Sequence, residues 1–120
     1  MKEIKWLPDV EEHDFPAAAS YLGLIYGDDR VAEIVAALRK ANMTQFKAKD
    51  IFRASQLSLL GISNQRVERD RQKIADGKSL SPLLLVRDQS NGKVVIADGY
   101  HRLCAVYGFN EDAWIPCKIV

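Results

Sequence analysis

Ser81-Pro82-Leu83-Leu84-Leu85-Val86-Arg87 is a short, nearly continuous apolar run. Side chains of a strand alternate between its two faces, so a run without alternation marks a strand in the centre of a sheet. Gln89-Ser90-Asn91-Gly92 then reads as a turn, with Asn-Gly accepting positive φ cheaply. Lys93-Val94-Val95-Ile96-Ala97 is the partner strand of a hairpin, and Asp98-Gly99 breaks it. His101 to Tyr107 reads as a short helix ended by Gly108, and Trp114-Ile115-Pro116-Cys117-Lys118-Ile119-Val120 as a last strand. Upstream, Ser63 or Asn64 caps a polar helix that runs to about Asp76, with Gly77 at its end. Val67 and Ile74, seven apart, share its apolar face. The order helix, strand, strand, helix, strand predicts an α+β fold, with helices packed on a small mixed β-sheet.

The first half is helical by pattern. Residues 1–13 read as an irregular or short extended lead, acidic at Asp9, Glu11 and Glu12. Asp14 is placed as an N-cap, with Pro16 in the first turn and Gly27 as the stop. Ala18, Leu22, Ile25 and Tyr26 recur between them at helical spacing. Asp28 or Asp29 starts a second helix, whose stripe is Val31, Ile34, Val35 and Leu38, and Asn42 closes it. Together they predict an N-terminal helical hairpin whose apolar stripe must pack on something. Residues 43–62 stay open: Gln45–Lys49 alternates like a strand, whereas Asp50–Ala54 suits a helix start. The resulting division is an N-terminal helical extension, 1–45, and a domain over 46–120.

With 120 residues and a formal net charge of +1, the chain makes one modest core and has no overall basic excess to grip nucleic acid. A local basic patch stays possible within that balance. Cys104 and Cys117 stand in no metal-ligand spacing, so they are expected as free thiols and no metal site is assigned. The start of the chain lacks the apolar stretch of a signal peptide, and no apolar run is long enough to span a membrane. The expectation is a cytoplasmic protein in a reducing, bacterial-type cytosol.

The chemistry concentrates at Asp98-Gly99-Tyr100-His101-Arg102. Glycine between a strand and a helix lets backbone approach a ligand closely. The helix behind it turns free N–H groups and its positive dipole end toward that spot, which suits an anion. His101 and Arg102 add donors, and arginine can hold phosphate with two parallel bonds. Asp98 is placed to hold a metal ion, to orient His101 or to accept a proton. The structural alternative is that Asp98 caps the helix, Gly99 makes the turn, and the two basic residues are solvated. A second cationic feature is Arg66, Arg69 and Lys73, spaced to share a helix face. Alone, this is a solvated charged face that Glu68, Asp70 and Asp76 balance. Beside Gly99, it would bring three more cations to one anion site.

The run from about Ser63 to Val120 resembles the ParB/sulfiredoxin superfamily in its order of elements. It shares the strand opened by Pro82 and apolar residues, the Gly-x-His-Arg motif, the short helix containing Ala and Tyr, and the Ile-Pro-Cys-type last strand. The resemblance implies that Arg66, Arg69, Lys73, Gly99, His101 and Arg102 bind a nucleotide such as ATP, ADP or CTP with Mg, with Asp98 and His101 as the catalytic pair. Tyr100 stands where sulfiredoxins carry their catalytic cysteine, which removes sulfinic-acid reduction from what is implied. It also replaces the Glu of the ParB box, and no DNA-reading domain follows Val120, so nucleic acid is not an expected partner of this chain alone. The free serine kinases of the superfamily carry an Asp-Gly-x-His-Arg form nearer to this one, with an acidic residue as base. Asp50 is a guess for that acid and Asp98 the safer candidate.

Three functions follow as expectations. The first is a small nucleotide-binding phosphotransferase. The second is a non-enzymatic regulatory module that presents the helical hairpin to a partner, a reading that a homodimer in solution would favour. The third is a nucleic-acid-associated ParB-like module, which requires Lys47, Lys49, Arg53, Arg66 and Arg69 to form one patch.

Overall fold

In the computed structural model, which describes residues 3–61 and 63–120, the chain forms helices α1 (Asp14–Leu22) and α2 (Asp28–Lys40), strand β1 (Thr44–Lys47), helices α3 (Ala48–Ser55) and α4 (Gln65–Ala75), the strands β2 (Leu83–Asp88) and β3 (Lys93–Asp98), helix α5 (Tyr100–Phe109) and strand β4 (Trp114–Ile119). Met1 and Lys2 of the expected lead, and Ile62 of the open segment, lie outside the described residues. The strands make one mixed sheet in the order β1-β4-β2-β3, parallel between β2 and β4 and antiparallel at the other two pairings. The α+β architecture expected from the element pattern is therefore the one observed.

The apolar run of β2 is central because both of its faces are covered. Leu83 and Leu85, with Ile96, Ile115 and Cys117, pack under Ile51 of α3, Val67 and Ile74 of α4, and Leu103 and Val106 of α5. Leu84 and Val86, with Val95 and Ala97, pack under Phe15, Ala18 and Leu22 of α1 and Val31, Ile34 and Leu38 of α2. The strand period of two sends successive residues of β2 into different cores. The helical hairpin is thus the second layer of the sheet, and its apolar stripe is consumed there. The division at 45/46 falls inside β1.

Local chemistry moves several boundaries. Helix α1 stops at Leu22, not Gly27: the N–H groups of Leu24, Ile25 and Tyr26 turn back onto the Tyr21 and Leu22 carbonyls, which ends the helix in a tight turn. Asp14 is not the cap. His13 occupies that position, and the Asp14 carboxylate points inward and accepts a hydrogen bond from the Ser81 hydroxyl. The open segment contains both elements, strand β1 followed directly by α3. Asn64 is the cap of α4, accepting from the N–H groups of Arg66 and Val67. Gly108 lies within α5, which ends at Phe109.

Gly99 joins β3 to α5 at φ +113°, a conformation that L side chains rarely adopt. A Cβ there would sit 2.7 Å from Leu83 Cγ and 2.9 Å from Arg102 Nη2. The glycine is therefore required by packing on the inner side of the turn as well as by φ. Gly99→Ala is expected to destabilise the fold by about 3 kcal/mol, read as a lower urea midpoint at unchanged slope.

Candidate functional site

Helices α4 and α5 lie side by side on the same face of the sheet, because each buries an apolar stripe in the first core. That packing sets the polar face of α4 against the start of α5. Between them is a cleft of about 230 Å³ lined by Arg66, Arg69, Asp70, Lys73, Asp98, Gly99, Tyr100, His101 and Arg102. All seven residues singled out in the sequence border this one cleft. Helical spacing could place Arg66, Arg69 and Lys73 on one face; the docking of α4 on α5 brings that face to the Gly99 turn.

The cations differ in what holds them. Arg66, Arg69 and Lys73 have no ion pair among the described residues. Arg102 is committed internally. Its Nη2 donates to Asp98 Oδ2 at 2.9 Å and to the Pro82 carbonyl at 3.3 Å, and it stands 3.9 Å from Asp14 Oδ2. Its Nε is buried without a hydrogen-bond partner among the described residues. Through Nη2, Arg102 thus ties α1, β3 and the lead into β2 together while it also lines the cleft. The first N–H groups of a helix have no partner within it, and those of Tyr100, His101 and Arg102, three residues that line the cleft, make no hydrogen bond among the described residues.

The two expected catalytic residues are set up differently. Burial raises the Asp98 pKa above the ordinary carboxylate value, Arg102 opposes this, and neighbouring Asp14 raises it further. Because Asp98 is bonded to Arg102, its carboxylate serves first as that residue's anchor. Burial lowers the His101 pKa, and the Arg66 and Arg102 charges act in the same direction against Asp70, so the imidazole is neutral at pH 7. His101 makes no hydrogen bond among the described residues and rests against the Tyr100 ring at 5.4 Å between centroids. The Tyr100 hydroxyl donates to the Ser58 carbonyl, tying the segment before α4 to the cleft. Cys104 is buried with its pKa raised by burial, and Cys117 is pushed up to about 11; both are free thiols.

Two residues of this region escaped the sequence reading. Asp14, 4% exposed, read as a helix cap but is a buried partner of Ser81 and Arg102. Asp70, 9% exposed, read as one of several solvated carboxylates on α4. Its spacing was the available signal, since it lies four after Arg66 and three before Lys73 and so shares their face. Asp50 lies on α3 outside the cleft, paired with Arg53 at 3.7 Å. Among the described residues no three His, Cys, Asp or Glu are grouped to hold a metal ion. No protein-family model matches the chain, and no match to it is found among curated proteins or solved structures.

Two outcomes follow from these carboxylates. Asp14→Ala removes a buried partner of both Ser81 and Arg102, and a loss of about 3 kcal/mol in unfolding free energy is expected from denaturant titration. Burial raises the Asp70 pKa, against the opposing charges of Lys73, Arg102 and Arg69. An acid with a raised folded pKa binds its proton more tightly when folded. Its ionisation therefore costs stability as pH rises from the ordinary carboxylate value through the raised one. Asp70→Asn has no such cost, so it should melt above the parent chain at pH 7, with the gap closing toward about pH 4.

Proposed function

We propose that this chain binds a phosphate-bearing small molecule in the cleft between α4 and the start of α5. The observation that carries the reading is the convergence of three unpaired cations, Arg66, Arg69 and Lys73, with the free N–H groups of one helix end on a single concave surface. Preorganised donors and charges of this kind favour an anion without reorganisation at the moment of binding. The resemblance of the motif region to ParB/sulfiredoxin proteins supports a nucleotide as the ligand. At about 230 Å³ the cleft is smaller than the roughly 300 Å³ at which ordinary small-molecule pockets begin. In this reading it receives the phosphate end, and any base or sugar beyond lies outside. His101, neutral and unbonded, serves as a donor or acceptor to the ligand. Phosphoryl transfer would be a matter of placing the phosphate and neutralising its charge.

The other readings have less support. The apolar stripe of the hairpin is buried on the sheet, leaving Tyr21 in the last turn of α1 and Leu24 and Ile25 just after it as its exposed large apolar residues. The five basic residues of a nucleic-acid patch are divided: Arg66 and Arg69 line the cleft, whereas Lys49 pairs with Asp112 at 2.6 Å, Arg53 pairs with Asp50, and Lys47 lies over the Trp114 ring. Two buried free thiols suit the reducing, cytoplasmic setting that this proposal assumes. Among the described residues no helix is long and apolar enough to cross a membrane.

Thermal melting with ATP, ADP, CTP or pyrophosphate, with and without Mg²⁺, tests the proposal. At millimolar ligand a higher melting temperature is expected, and each of Arg66→Ala, Arg69→Ala and Lys73→Ala should weaken binding about tenfold. No shift with any of the four, nor with a small phosphomonoester such as glycerol 3-phosphate, would overturn it.

A further inference from the structure

Asp70 has no described partner. The residue is 9% exposed and borders the cleft, its carboxylate oxygens keep contact with solvent, and it makes no hydrogen bond or ion pair among the described residues. Lys73, Arg102 and Arg69 influence it only through their charge. Solvent is then the donor to this carboxylate, and a ligand that displaces it must supply a donor in its place, because losing solvent without gaining a donor costs free energy. The open side of Asp70 is the cleft, so that donor can come from whatever the cleft holds. The dianion of a phosphomonoester cannot be that donor: it brings only acceptors, and its charge repels the carboxylate.

Charge decides which donor fits. Four cations border the cleft, Arg66, Arg69, Lys73 and Arg102, against two carboxylates, Asp70 and Asp98. Asp98 is bonded to Arg102. Three cations therefore remain against Asp70 alone, a balance that favours a dianion and disfavours an added ammonium group beside Lys73. A neutral hydroxyl satisfies Asp70 without that repulsion, and a hydrogen bond to a charged acceptor is stronger than one between neutral groups. Resting on the phosphate-binding reading, we infer that the cleft takes a small phosphomonoester with a neutral hydroxyl close to its phosphate, and that Asp70 accepts the hydrogen bond of that hydroxyl. Polyol and sugar phosphates form this class, and they suit a cleft of about 230 Å³.

The test compares glycerol 3-phosphate with n-propyl phosphate, which has the same skeleton without hydroxyls, by calorimetric titration of the full chain at pH 7.5. The parent chain should bind glycerol 3-phosphate about tenfold more tightly or better. Asp70→Asn, checked for its fold by circular dichroism, should lose most of that preference and bind n-propyl phosphate several-fold more tightly than the parent, because one repelling charge is gone. Asp76→Asn, whose parent side chain accepts from Gln72 outside the cleft, should leave the preference unchanged. Equal binding of both ligands by the parent, or an equal shift of both in Asp70→Asn that keeps the preference, would overturn the inference and leave phosphate binding standing. Binding of neither ligand, nor of pyrophosphate, would overturn both.

Discussion

The Arg102 guanidinium donates to Asp98 at the end of β3 and to the Pro82 carbonyl just before β2, with the buried Asp14 carboxylate of α1 beside it. Helix α1 lies on one face of the sheet and α5 on the other. The cluster therefore pins both helical layers at one end of the central strands. Two acids around one arginine, with Ser81 donating to Asp14, spread the cost of burying charge over several bonds. Gly99 is constrained by the same cluster, because a side chain there would collide with Leu83 and Arg102.

The cleft inherits its electrostatics from this arrangement. Internal pairing of Arg102 with Asp98 removes one cation and one anion from what a ligand meets. The remaining character is set by α4: Arg66, Arg69 and Lys73 around the solitary Asp70. A surface of cations with one acceptor among them is more selective than a plain basic patch, since the acceptor penalises bare anions and rewards those that bring a donor.

Much of the fold was legible because it rests on short-range rules. The unbroken apolar run at 83–86 announced a central strand, Asn91-Gly92 its turn, and Asn64 the start of α4. The residues of the candidate site were legible as types, since strand–Gly–helix with His and Arg, and basic residues at helical spacing, are local patterns. The roles of Asp14 and Asp70 were not. A carboxylate near a helix start reads as a cap, and one amid lysines and arginines reads as solvated, unless its burial is known. The end of α1 at Leu22 was also hidden, because Ile25 and Tyr26 continue the helical spacing through a turn made by backbone hydrogen bonds.

The sequence by itself determined the α+β class, the element order from Asn64 onward and the residue types at the Gly99 junction, because periodicity, capping and turn chemistry act within a few residues. Only the tertiary structure decided that the N-terminal helices close the second face of the sheet, that α4 turns its cations toward the start of α5, and that Arg102 is engaged inside the protein while Asp70 is left with solvent as its donor. Those outcomes depend on which buried faces meet across the sheet, and long-range packing, not local propensity, brings Asp14 to Ser81 and Arg66 to Gly99.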